Sequence, residues 1–166
     1  MTESQLQRFI TAQDQPRSGF DSALAEVRRG SKQGHWIWYI FPQLAGLGLS
    51  SLSQIYGING IAEAVEYLRD PELRMRLVKI TTVVAEQARM GIALETLMGS
   101  PIDARKLVSS LTLFGNIAKR LHAEDAEEQY QSLATVADEV LAAAESEGYA
   151  PCSFTLEQLA RYSVRA

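Results

Sequence analysis

The sequence predicts an all-α fold, a single domain over residues 1–166 built as an irregular, near-orthogonal packing of about six to eight helices. Three observations lead there. Nearly every long segment carries apolar residues at helical spacing. Two helix starts, Asp70-Pro71-Glu72 and Ser100-Pro101-Ile102-Asp103, each set out a cap residue, a first-turn proline and an acid in order. Only Trp36 to Leu44 has the aromatic and β-branched content of a strand, and one strand cannot make a sheet.

In chain order, Leu6, Phe9, Ile10 and Gln13 share one face of a short first helix, and Phe20, Ala23, Leu24 and Val27 one face of a second. Ser18 and Asp21 form a variant capping box for the second helix, and Gly30 is placed to end it. From Asp70, the residues Leu73, Leu77, Ile80, Val84 and Ala88 line one face as far as a stop at Gly91. From Ser100, the residues Leu107, Leu111, Phe114, Ala118 and Leu121 alternate spacings of four and three, the most regular helical pattern in the chain. A further helix is expected from Ala126 to Ser146, with Tyr130, Leu133, Ala137, Val140 and Ala144 inward and an acidic first turn suited to the helix dipole. The last starts at Thr155, with Gln158 completing a capping box.

Composition removes several function classes. Sixteen basic and twenty acidic residues leave a net charge of −4. Duplex nucleic acid is held mainly by neutralising phosphates, so no nucleic-acid partner is expected; the densest basic group, Arg28, Arg29 and Lys32, is small. No apolar run is long enough to cross a membrane, and Met1 to Gln15 does not read as a signal peptide. The one cysteine, Cys152, has no partner for an internal disulfide, which fits the reducing cytoplasm expected as its location. His35 and His122 are the only histidines, so no multi-histidine metal site is expected. Nucleophile-elbow, Walker-type and zinc-protease motifs are missing, and no cofactor is expected. The acid pairs Glu124-Asp125 and Glu127-Glu128 read as solvated charge at a helix start.

Residues 30–58 stand apart. They hold both tryptophans, Tyr39, Phe41, Tyr56, His35 and five of the eleven glycines. Trp36 and Trp38 suit either a core or the wall of a site for a planar ligand. Gly46 and Gly48 read as turn glycines, because a dinucleotide loop needs a third glycine and a strand–helix frame. Lys32, in a glycine-flanked loop, has the charge to meet a phosphate or carboxylate, and His35 carries an imidazole, a group type suited to general acid–base work, so these two are the candidate catalytic residues. Each also has a structural reading, as a loop cation and as a hydrogen-bonded ring. Gln43, after Pro42, carries an amide able to read a base edge or to fasten the loop. A second polar group is Asp103, Lys106, Ser109 and Thr112. Asp103 and Lys106 are spaced to pair on a helix surface, and the two hydroxyls either line a pocket or bond back to the preceding turn.

The run Gly30-x-Lys32-x-x-His35-Trp36-x-Trp38-x-Ile40-Phe41-Pro42-Gln43, then Gly46-Leu47-Gly48-x-Ser50 and Tyr56-x-Ile58, resembles the bacterial family called Domain of Unknown Function 1810. Asp70-Pro71-x-Leu73-x-x-Arg76-Leu77 and Asp103-x-x-Lys106-Leu107-x-Ser109-Ser110-x-Thr112-Leu113-Phe114 look like its continuation, so the resemblance spans about residues 6–160. It implies an all-α fold and no established activity, with a nucleotide or an ADP-ribose-like compound as the conceivable substrate class. It adds Ser50 and Tyr56 to the ligand-binding candidates Trp36, Trp38, Gln43, Asp103, Lys106, Ser109 and Thr112. The family's Gly-x-x-Asp-x-x-Thr pattern near the C-terminus keeps Gly148 and Thr155 here but no acid between them. The expectation is a small-molecule ligand, polar or anionic, between the Trp-rich segment and the helix after Ser100. The alternative is an interaction module or homo-oligomer that presents the Trp-rich segment to a protein.

Overall fold

The computed structural model describes residues 5–164, which hold ten helices and no strand. They are α1 (Gln7–Gln13), α2 (Phe20–Arg29), α3 (Ile37–Ile40), α4 (Ser51–Tyr56), α5 (Gly60–Arg69), α6 (Pro71–Arg89), α7 (Leu94–Met98), α8 (Pro101–Glu124), α9 (Glu128–Ser146) and α10 (Ser153–Val164). The expected all-α class is correct, but the count of six to eight is too low. The surplus lies in α3, α4 and α7, each four to six residues long, too short to show a helical period. Trp36 to Leu44 is not a strand: it makes the single turn α3, and then Leu44 forms one isolated parallel bridge with Ile58.

The long helices follow their caps. Asp70 Oδ1 accepts from the N–H groups of Glu72 and Leu73 at 3.0 Å each, and Ser100 Oγ accepts from Asp103 N–H at 3.1 Å. The weaker capping assignments fail. The N-cap of α2 is Gly19 with no side-chain bond, and Ser18 instead offers its carbonyl to the Tyr39 hydroxyl at 2.6 Å. α10 begins at Ser153, so Thr155 is a fully buried residue inside the helix rather than its cap.

α9 packs on both α6 and α8, and α8 also touches α3, α5, α7 and α10. α8 is therefore the axis of the molecule and is buried on all sides from Ser110 to Gly115. The inward faces expected for α8 and α9 are all buried, and the core cluster runs continuously from Phe9 of α1 to Leu159 of α10. The corner between α5 and α6 is closed by Arg74, which donates to the last carbonyls of α5, Leu68 at 3.1 Å and Arg69 at 3.3 Å, where the helix dipole favours a cation. Among the described residues no helix is long and apolar enough to cross a membrane.

Candidate functional site

The site begins at a residue whose role is not evident from its type. Glu26 lies on the buried face of α2. Its Oε1 accepts three bonds, from Gln33 N–H at 2.6 Å, Gly34 N–H at 2.7 Å and Trp36 Nε1–H at 3.0 Å. Burial pushes its carboxyl up, but the amides of Gly34 and Gln33, the indole N–H and the nearby Arg29 charge outweigh burial and hold it below the ordinary range. The loop after α2 is thus folded around one carboxylate oxygen. Trp36 is consequently fully buried, 6.3 Å from Phe41 between ring centroids. Trp36 is thus part of the core cluster.

The same loop delivers Lys32 to α8. Its Nζ meets Asp103 Oδ2 at 2.8 Å, donates to the Gly34 carbonyl at 2.6 Å and sits 5.1 Å from the centre of the Trp36 ring. Its side chain is 7% exposed, so its charge is engaged inside the protein. Lys106, one turn along α8, is 4.0 Å from the other Asp103 oxygen and lies over Trp38, 4.9 Å from the ring centre. One carboxylate therefore serves two ammonium groups and is committed to the nearer. Trp38, Gln43, Tyr56 and Lys106 also surround a small enclosed space of about 10 Å³, room for roughly one water molecule. The indole N–H of Trp38 is buried and has no hydrogen-bond partner among the described residues. These groups supply donors and a cation, and the complementary chemistry is an acceptor oxygen carrying negative charge.

The other candidates fall elsewhere. His35 is exposed beside the cluster, with no hydrogen bond among the described residues. Ser50 caps α4, accepting from Ser53 N–H at 3.1 Å and donating to Ser53 Oγ at 2.9 Å. Gly48 packs so tightly on that turn that a Cβ would lie 2.3 Å from Ser53 Oγ, so the Gly46–Gly48 stretch is a close-packed turn. Ser109 and Thr112 face the segment before α10. The Thr112 hydroxyl donates to Val108 at 2.7 Å and accepts from Cys152 N–H at 3.2 Å, while Ser109 lines a hollow beside Tyr149 and Cys152. The structure thus joins Lys32, Trp36, Trp38, Gln43, Tyr56, Asp103 and Lys106, and leaves Ser109 and Thr112 apart from them. Among the described residues no group of three His, Cys, Asp or Glu could hold a metal.

Sequence reasoning missed Glu26 and a groove of about 690 Å³ between α1 and Tyr39 and Tyr56. Arg8, Thr11 and Gln15 line it, and Tyr56 borders both this groove and the enclosed space at Trp38. Arg8 is neutralised by Glu63 at 2.7 Å, so the groove is polar without a free charge on that side. The readable signal for Glu26 was an acid three residues after Ala23, on an otherwise apolar stripe.

The comparisons match this architecture. The crystal structure of the conserved hypothetical protein Rv1873 from Mycobacterium tuberculosis is similar, with a TM-score of 0.63 and 39% sequence identity over 77% of this chain and 83% of that chain. No curated protein matches. Residues 3–139, which contain Glu26 and every residue of the joined cluster, match the family described as "Protein of unknown function (DUF1810)", and the chain belongs to that family.

Proposed function

We propose that this protein binds a small anionic ligand at Lys106 and Trp38, with Gln43 and Tyr56 as flanking contacts. The observation that carries the reading is the shared carboxylate: Asp103 is committed to Lys32 at 2.8 Å, which leaves Lys106 at 4.0 Å short of a close counter-ion beside a buried, unpartnered indole N–H. An incoming anion would complete both. The space at Trp38 holds no more than a water-sized group. A phosphate-bearing planar compound of the nucleotide or ADP-ribose kind would therefore lay its body in the groove of about 690 Å³ that shares Tyr56, beside the Tyr39–Tyr56 ring pair, and turn its charge toward Lys106, which holds phosphate as a point charge. Lys32 serves the site by fixing Asp103. In any turnover His35, exposed next to Trp36, is the proton-transfer candidate of the segment.

The test is titration of the whole chain with AMP, ADP-ribose and inorganic phosphate, followed by calorimetry and thermal shift. Lys106→Gln and Trp38→Phe should each weaken binding about tenfold or more, the range for losing a hydrogen bond to a charged group. Unchanged affinity in Lys106→Gln, or no binding by the native chain, defeats the reading. The interaction-module alternative is less well supported, because Trp36 is wholly buried; the exposed apolar side chains of the segment are Leu49, Leu52 and Ile55.

A further inference from the structure

α5, α8 and α10 border an open cavity of about 380 Å³ that shares no lining residue with the Lys106 site. Its walls are mainly apolar, from Val65 on α5 and Ile117 and Leu121 on α8, with the Tyr162 ring at its edge. Arg120 lines this apolar space. Its guanidinium is partly buried and makes one hydrogen bond among the described residues, from Nη2 to the Leu159 carbonyl at 2.9 Å. A guanidinium has five N–H donors in a planar fork, so most of that donor set is unused. No carboxylate of the described residues lies within ion-pair distance of it. The acid that lines the cavity, Glu124, is turned to Arg69 at 3.8 Å, and that pair is solvent-exposed. A partly buried guanidinium beside apolar walls, with no counter-ion among the described residues, is matched by an anion that carries an apolar tail.

We infer that this cavity binds an amphipathic monocarboxylate, with its carboxylate on the Arg120 fork and an aliphatic tail among Val65, Ile117 and Leu121. The volume lies within the range of small-molecule sites, and the lining joins apolar wall to a few polar groups, of which Arg69 and Glu124 face each other and Arg120 is the cation without a carboxylate partner among the described residues. A phosphate ester without a tail would gain the charge but not the wall, and a neutral alcohol the wall but not the charge.

The experiment is calorimetric titration of the full chain with octanoate, acetate and 1-octanol. Octanoate should bind, and acetate and octanol should bind at least tenfold more weakly. Arg120→Met should lower octanoate affinity at least tenfold. Glu124→Gln should leave it equal or tighter, because it removes a negative charge from the lining without touching Arg120. Arg120 also holds the Leu159 carbonyl, so Arg120→Met could loosen α10; Ala123→Trp leaves Arg120 in place, fills the cavity and should abolish octanoate binding with the melting temperature preserved. The inference is overturned if octanol binds as tightly as octanoate, if Arg120→Met or Ala123→Trp binds octanoate as the native chain does, or if octanoate does not bind at millimolar concentration.

Discussion

At the scale of single residues, Glu26 decides most. Three N–H groups converge on one of its oxygens, and two of them belong to the loop that aims Lys32. Removing the carboxylate in Glu26→Ala strands a buried indole N–H and two amides, a loss of about 3 kcal/mol. Urea denaturation measures it, and the loss should be accompanied by weaker binding at Lys106. The pH dependence has a definite sign. The folded carboxyl lies below its ordinary value of 4.5, so its stabilisation is fully present above that value and declines as the pH falls below it toward the folded pKa. Native protein should therefore lose stability across this acid range more steeply than Glu26→Gln, as followed by melting temperature against pH. The position of Glu26 on an apolar stripe was legible in the sequence, but its role was not, because the N–H groups it gathers come from a loop whose path periodicity does not give. Lys32, Asp103 and Lys106 were legible as a set of charges, but not the order of their pairing, which depends on distances of about an ångström.

At the scale of elements, helices were readable in proportion to their length and to the chemistry of their ends. α6 and α8 start where a cap, a proline and an acid say they should, and their inward faces follow the apolar period. α3, α4 and α7 have no room for a period, and α10 starts two residues before the capping pattern because Thr155 is buried against the core. Ser100 has two dependants, the N-terminus of α8 and the Asp103 carboxylate that rides on its first turn. Ser100→Ala should cost about 1 kcal/mol in urea denaturation with the slope unchanged, the usual penalty of a lost cap.

At the scale of the whole molecule, everything is arranged about α8, and its contact with α9 is close. A Cβ on Gly115 would approach the Cβ of Ala137 to 3.0 Å. Glycine in mid-helix costs about 1 kcal/mol relative to alanine, a cost offset here by the tight crossing it permits. Gly115→Leu forces the two helices apart and should lower stability by roughly 1–3 kcal/mol, visible as a reduced melting temperature. The crossing was not legible from periodicity, which assigns faces to helices but not the partner of each face or the distance between axes.

The Lys32–Asp103 pair joins positions about seventy residues apart, so closing it carries a large loop entropy that only packing of the intervening helices can offset. The counter-charge of the Trp-rich segment thus comes from α8, beyond the whole of α4 to α7 in the chain. The anion binding proposed at Lys106 would accordingly require the completed topology, and an affinity measured there would report on the native state as a whole.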